Sequence, residues 1–324
     1  MNLADRFQRH LQESGLLDEA RNVVVALSGG GDSTALLVLL NDWARGRGIP
    51  IVAMHVLHGL RGRRGEEDAV FCARLASELA LPFGFRPVDV PGNRRPGESL
   101  EAAARRLRYE ALLALAGEIG EGTPVATGHT LDDQAETVLL NLHRHAGRTR
   151  GGIRTRREDG VVRPLLPFSR AELRDFLAAR GVAWREDETN ENERLLRNRI
   201  RRRELPALEK ASPGTAERLA RAGEAWTKRV EALDHRIDEA LAAGGTPLSG
   251  PWPRALVGAL GTEAAARLLV RAAGTRGAVP GRAQLSRAVD RLFRGDERLA
   301  ESLAGLRLSA DSRVVRITSR PGRA

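Results

Sequence analysis

The run Val23-Val24-Val25-Ala26-Leu27-Ser28-Gly29-Gly30-Gly31-Asp32-Ser33-Thr34 constrains this chain more than any other segment. A short β-branched apolar stretch reads as a buried strand. Three consecutive glycines then make a turn, and the periodicity of residues 33–45 reads as a helix. Glycine allows positive φ and lets the backbone come close to a ligand. Successive amides in such a turn, at the start of a helix, form a nest suited to phosphate. Ser28 and Ser33 can add hydroxyl donors. Asp32 is an odd neighbour for phosphates unless a divalent cation bridges them.

Two familiar phosphate loops do not fit. A dinucleotide fingerprint needs glycine where Thr34 stands and an acid at the end of the second strand, which reads Met54-His55-Val56. A lysine-bearing phosphate loop is excluded because the first lysine is Lys210.

The surrounding pattern is an α/β one. Strands are expected at 23–27, 51–56, 83–88 and 124–127, alternating with helices at 33–45, 66–79, 100–119 and 131–143. Such alternation predicts a parallel sheet with helices on both faces. Ligands of these sheets sit beyond the carboxyl ends of the strands. Residues 147–159 are rich in Gly and Arg and read as a mobile loop. Ser169 and Glu172 make a capping box for a helix at 169–180. A very basic helix is expected at 193–203. Pro206 and Ser212-Pro213-Gly214 mark a boundary near 210, which gives two domains, 1–210 and 211–324. The second reads as smaller and mainly helical: a long helix at 215–243, shorter helical segments to about Leu303, and a terminal hairpin of 306–308 with 314–317.

Composition narrows the class. The 52 basic residues exceed the 42 acidic by ten, which favours a polyanionic partner. The longest apolar runs, 35–40 and 111–116, are six residues each, too short to span a membrane. The N-terminal segment carries Asp5, Arg6, Arg9 and Glu13, an amphipathic helix rather than a signal peptide, so a soluble, cytoplasmic protein is expected. A single cysteine, Cys72, excludes intrachain disulfides and cysteine-held clusters.

Ser-Gly-Gly-x-Asp-Ser resembles the PP-loop of the N-type ATP pyrophosphatases, enzymes that cleave ATP between its α and β phosphates. The resemblance implies a Rossmann-like fold and an ATP site at Ser28, Gly29, Gly30, Gly31, Asp32 and Ser33. Four further stretches narrow it. They are His55-Val56-Leu57-His58-Gly59-Leu60-Arg61; Glu98-Ser99-Leu100-Glu101-Ala102-Ala103-Ala104-Arg105-Arg106-Leu107-Arg108-Tyr109; and Thr127-Gly128-His129-Thr130-Leu131-Asp132-Asp133-Gln134-Ala135-Glu136-Thr137. The fourth combines Arg163-Pro164-Leu165-Leu166, Trp184-Arg185-Glu186-Asp187-Glu188-Thr189-Asn190 and Arg197-Asn198-Arg199-Ile200-Arg201. In this order they resemble the tRNA(Ile)-lysidine synthetases over about the first 206 residues. The resemblance implies three substrates: ATP, free L-lysine and tRNA(Ile) with a CAU anticodon. ATP adenylates the C2 oxygen of the wobble cytidine, and lysine then displaces AMP.

Against that chemistry, Asp32 and Asp133 are the expected Mg²⁺ ligands, with Asp132 beside them near ATP or the target base. Asp132 and Glu136 share a helix face and could instead hold the lysine ammonium. Helix capping is the plainer alternative for Asp132 and Asp133, and Glu136 could stand behind them. His129 follows a strand end and a glycine and is expected to face the cleft. Arg105, Arg197, Asn198 and Arg201 match the motif as tRNA or substrate contacts. Two arginine clusters, at 144–157 and 194–203, are expected to meet RNA. His55 and Cys72 read equally well as packed residues.

The pattern departs from the family at Leu57, where a polar residue is usual, and at Arg144-His145-Ala146-Gly147 and the residues after it. Two rival readings remain: a tRNA thiolase, which needs catalytic cysteines, and a non-catalytic RNA binder on the same fold.

Overall fold

The computed structural model describes residues 1–60, 62–143, 151–186, 196–296 and 298–319. The chain divides into two compact units. One is Met1–Glu136 with Arg154–Ala220, and the other is Thr137–Ile153 with Arg221–Ala324.

In the first unit β1 (Val23–Ala26) is the centre of a five-stranded parallel sheet ordered β3-β2-β1-β4-β5, with β2 at Ile51–Leu57, β3 at Phe83–Pro87, β4 at Val125–Ala126 and β5 at Val161–Val162. The unbroken valine run of β1 has a simple cause. Val23 and Val25 enter one core, with Leu36 and Leu40 of α2 (Gly31–Arg45), whereas Val24 enters another, with Tyr109 and Leu112 of α4 (Leu100–Ile119). A strand buried on both faces has no polar side to alternate with. α1 (Leu3–Ser14), α3 (Arg63–Glu78) and α6 (Arg170–Ala179) complete the first layer through Phe7, Cys72 and Leu173. The expected doubly covered parallel sheet is therefore present.

The strand order reverses between β1 and β4. Ser28 follows β1 and Gly128 follows β4, so both lie at the carboxyl edge at this switch point, where open α/β sheets bind ligands. α5 (Leu131–His143) starts three residues after Gly128.

Two sequence expectations in this unit need correction, and one strand is additional. β5 lies where the sequence predicts no element, because two residues are too few to show a period. The described part of the supposed mobile loop is tied down: Arg156 donates to Leu16 O at 2.5 Å, and Arg154 O accepts from Arg163 at 2.5 Å. The expected basic helix continues past Pro206, through α7 (Leu196–Arg199), a π-helical turn at Ile200–Glu204 and α8 (Leu205–Ala211). Pro206 falls at the start of α8, just past the π turn, where the helical hydrogen-bond register is already shifted. Residues 187–195 and 144–150, which hold Arg194, Arg144, Arg148 and Arg150, lie outside the described residues.

The second unit contains most of α9 (Thr215–Ala243), α10 (Arg254–Gly274), α11 (Arg282–Phe293) and an antiparallel sheet ordered β6-β9-β8-β7. Its strands are β6 (Trp252–Pro253), β7 (Leu299–Leu303), β8 (Leu306–Ala310) and β9 (Val314–Ser319). Trp252, Leu268, Leu303 and Leu308 are fully buried in its core. The expected terminal hairpin is β8–β9. β7, expected as the end of a helical stretch, instead pairs along its whole length with β8 through a two-residue Ala304-Gly305 turn. Among the described residues no helix is long and apolar enough to cross a membrane.

Candidate active site

The glycine turn is held by its own side chains. Ser28 N–H donates to Ser33 Oγ at 3.1 Å, and Ser33 Oγ donates to Gly30 O at 3.0 Å. Ser28 Oγ lies 3.0 Å from Ser33 Oγ. The Ser33 hydroxyl is thus engaged within the loop. Gly29 has φ +87°, a backbone conformation that favours glycine, and a β carbon there would meet Phe71 at 3.3 Å. Gly128 is required for a different reason: its β carbon would stand 3.1 Å from Asp32 C, Asp32 O and Ser33 N. The turn after β4 is packed directly on the glycine turn.

Asp32 begins α2 and points to α6. Arg170 Nε donates to Asp32 Oδ2 at 3.3 Å, Arg170 Nη2 to Asp133 Oδ1 at 2.5 Å and Arg170 Nη1 to Glu136 Oε1 at 2.7 Å. One guanidinium therefore binds three of the carboxylates singled out by the sequence. Arg201 joins through Nε to Glu136 Oε1 at 2.7 Å and Nη2 to Asp133 Oδ1 at 3.1 Å. Arg197 Nε reaches Glu136 Oε2 at 3.3 Å. Arg197 and Arg201 are four apart across the start of the π turn and present one face. Glu136 is 0 % exposed. A carboxylate at that depth is tolerable because several charge-assisted bonds replace its water.

Asp133 has a second duty. Its Oδ2 accepts from Thr130 N at 2.9 Å and from Thr130 Oγ1 at 3.0 Å, closing the first turn of α5. Burial works to raise its pKa, but the positive fields of Arg170 and Arg197 and the Thr130 amide outweigh that and hold it low. Asp132 is turned the other way: its Oδ2 accepts from the Arg170 backbone amide at 2.8 Å, at the start of α6. Asp133 and Glu136, rather than Asp132 and Glu136, form the acidic face. Burial pushes the Asp32 carboxyl up to about 6; Arg170 opposes this and Asp133 adds to it.

His129 Nδ1 lies 3.0 Å from Thr127 Oγ1. Burial lowers its pKa, and Arg163, Arg105 and Arg108 act the same way against the pull of Asp133, so the ring is neutral at physiological pH. Arg105 stands over Tyr109, its guanidinium carbon 5.2 Å from the ring centre and its Nη2 3.4 Å from the phenol oxygen. Neighbouring Arg106 is committed to Glu98 at 2.8 Å and to Glu110 at 3.2 Å. Asn198 is half-buried between Arg197 and Arg199. His55 Nδ1 bonds Leu27 O at 2.9 Å and its ring stacks on Phe85.

Arg170 is the residue that sequence reasoning missed. A signal was available: an arginine directly after the Ser169 cap opposes the helix macrodipole, so something else must hold it there. Three carboxylates do.

The donor set suits a divalent cation in one place. Asp32 is a part-exposed carboxylate, its side chain 28 % accessible, and it is short of positive compensation. Asp133 and Glu136 already accept several bonds each. Among the described residues no three acidic, histidine or cysteine side chains form a ready-made cation cage. The Asp32 carboxylate is the one such a cation would take from the protein.

Residues 2–208 match the family model of the PP-loop domain, ATP_bind_3. The chain belongs to that family. The match takes in most of the first unit of the fold, including the glycine turn at 28–31 with Asp32 and Ser33. Similar proteins include the tRNA(Ile)-lysidine synthase of Thermus thermophilus, 44% identical over 220 residues, covering 68% of this chain and 42% of that protein. That of Geobacter sulfurreducens is 40% identical over 237 residues, covering 71% and 49%. The chain thus spans about half the length of the curated relatives it matches. Among solved structures it resembles the U34-tRNA thiolase NcsA from Methanococcus maripaludis with its [4Fe-4S] cluster, with a TM-score of 0.55 at 19% identity, covering 70% of this chain and 78% of that one. At that identity the likeness speaks for the PP-loop fold alone.

Proposed function

We propose that the chain is a tRNA(Ile)-lysidine synthetase, acting in the cytoplasm on tRNA(Ile) with a CAU anticodon, ATP and free L-lysine. The observation that carries this reading is the 44% identity to a lysidine synthase over 220 residues, joined to the acid–arginine cluster beside the loop. In the first step the C2 oxygen of the wobble cytidine attacks the α phosphorus and pyrophosphate leaves. Negative charge grows on the leaving group, and the loop amides with the α2 N-terminus are placed to take it. Mg²⁺ would supply further charge neutralisation there, with Asp32 as its protein ligand and Asp133 within the same cluster.

In the second step the lysine amine attacks C2 and AMP leaves, so the amine must give up a proton. A neutral His129, beside Asp133, can bond the amine without adding positive charge. Arg105, Arg197, Asn198 and Arg201 serve as substrate or tRNA contacts. Arg197 and Arg201 also hold the acids, and Arg202 and Arg203 beside them are exposed.

The thiolase reading is disfavoured by Cys72. It is 0 % exposed and its thiol is pushed up to about 12 by burial, so no thiolate is available at neutral pH. The deciding experiment is mass spectrometry of the wobble nucleoside after incubation of unmodified tRNA with ATP, Mg²⁺ and lysine. Lysidine is expected. AMP formation with sulfide but not with lysine would support the thiolase, and no turnover at all would support an RNA binder.

A further inference from the structure

The stretch Trp184-Arg185-Glu186 lies against the phosphate loop, although 150 residues separate them in sequence. Arg185 N–H donates to Gly29 O at 2.9 Å, and Gly30 and Arg185 pair in an isolated parallel bridge. The Arg185 guanidinium crosses to α3, with Nε 2.5 Å from Asp68 Oδ1 and Nη2 3.3 Å from Glu67 Oε2. The same helix, one turn on, presents Phe71 and Cys72 to Gly29. Trp184 closes the other side: a β carbon on Gly31 would stand 3.5 Å from its indole. The loop is therefore held between α3 and the 184–186 segment, and Arg185 ties those two walls together.

We infer that Arg185 is a positioning residue that sets the phosphate loop in its anion-binding shape. The inference rests on the PP-loop reading above and concerns the same site. The physical reason is the peptide plane. The Gly29–Gly30 peptide is trans, so its C=O and N–H point in opposite directions. Fixing Gly29 O on Arg185 aims the Gly30 N–H away from the 184–186 segment. Within the loop, Ser33 Oγ holds Gly30 O and Thr34 Oγ1 reaches Gly29 O only at 3.4 Å, so the Arg185 amide is the shorter hold on a glycine backbone with much freedom to lose. Without an external anchor the nest would have to order on binding, and affinity would fall by the fraction of time it is misformed.

The test uses the full 324-residue chain, with ATP and Mg²⁺ as the probe and neither tRNA nor lysine present. Arg185→Ala keeps the backbone N–H but frees the 184–186 segment from Asp68 and Glu67, and calorimetric titration is expected to show it raising the ATP dissociation constant at least tenfold. Arg185→Lys should raise it less, and Asp68→Ala, which removes the far anchor, should follow Arg185→Ala. In turnover, the KM for ATP rises while kcat at saturating ATP and the KM for lysine stay within twofold. A structural role alone would lower melting temperature and kcat together without selectivity for ATP, and that result overturns the inference. Unchanged ATP affinity in Arg185→Ala also overturns it. Should Arg185→Ala fail to fold, Arg185→Lys and Asp68→Ala give the same reading. A wild-type chain that binds ATP but makes no lysidine overturns the proposed function and leaves this titration to decide Arg185. A wild-type chain that takes no ATP overturns both.

Discussion

Arg170 donates to Asp133 across 2.5 Å, and the same guanidinium also holds Glu136 and Asp32. Removing one partner from a buried ion cluster leaves the others charged and unmatched, at a cost of about 3–5 kcal/mol. Arg170→Ala is expected to lose about 3 kcal/mol in urea unfolding at pH 7.5, since Arg197 and Arg201 remain on Asp133 and Glu136. Its turnover should fall at least a hundredfold. Arg170→Lys, a point charge without the planar fork, should recover stability better than activity. An Arg170→Ala protein as stable and as active as the parent would remove the cluster from the mechanism.

Asp32 gives a prediction whose sign depends on pH. Its carboxyl is raised from 3.8 to about 6, chiefly by burial. A raised acid favours the folded state fully below the unfolded pKa, and this contribution is lost as pH rises through the folded value. At pH 7.5 the ionised carboxylate therefore costs stability. Asp32→Asn is expected to melt a few degrees higher than the parent at pH 7.5, and the difference should vanish as pH is lowered from 6 to 4. AMP formation should be abolished while tRNA binding persists. ATP with Mg²⁺ should then raise the melting temperature of the parent but not of the variant.

Gly128→Ala tests the packing of the β4 turn on the phosphate loop. The new methyl would sit 3.1 Å from three backbone atoms of Asp32 and Ser33, none of which can rotate away. Overpacking of this kind costs about 1–3 kcal/mol. Because the atoms displaced belong to the loop, ATP affinity should drop about tenfold or more. Gly117→Ala, a helical glycine with open space around its β carbon, is the control and should be neutral or slightly stabilising.

The fold of the first unit was legible because its signals are local. The Val23–Val25 run, the glycine turn and the helical period after it all lie within 25 residues, and each later strand repeats the pattern. The two-residue β5 and the five-residue β7 were not legible: one is too short for a period, and the other leads into an Ala-Gly turn rather than an Asn-Gly one. At the site, sequence brought Asp32, Asp133 and Glu136 into view through their motifs. It could not tell which of Asp132 and Asp133 faces the cluster, since adjacent residues at a helix start differ by 100° and either can cap. Arg170 was hidden because its partners are 34 to 138 residues away.

RNA affinity should separate the two kinds of arginine in the basic helix. Arg197 and Arg201 are spent on Asp133 and Glu136, whereas Arg202 and Arg203 are exposed. Each phosphate contact contributes about 0.7–0.9 to the slope of log affinity against log salt. The double variant Arg202→Ala, Arg203→Ala is expected to lower that slope by about 1.5 and weaken tRNA binding several-fold, with ATP affinity unchanged. An identical slope in filter binding from 50 to 200 mM salt would exclude both side chains from the RNA interface.

Cys72 separates amine transfer from sulfur transfer. Its Sγ is 3.7 Å from Leu27 O and 3.5 Å from His55 Nδ1, inside the core beneath Gly29. With the thiol near 12, the reactive thiolate is scarce at pH 8. Iodoacetamide should therefore modify the native protein far more slowly than the urea-unfolded one. Cys72→Ala deletes one buried sulfur and should cost about 1 kcal/mol, by the cavity it leaves. Lysidine formation should stay within a few-fold of the parent, the small loss coming from looser packing under the loop and appearing in the KM for ATP. A variant that still splits ATP but transfers nothing to tRNA would place the thiol in the chemistry and favour the thiolase.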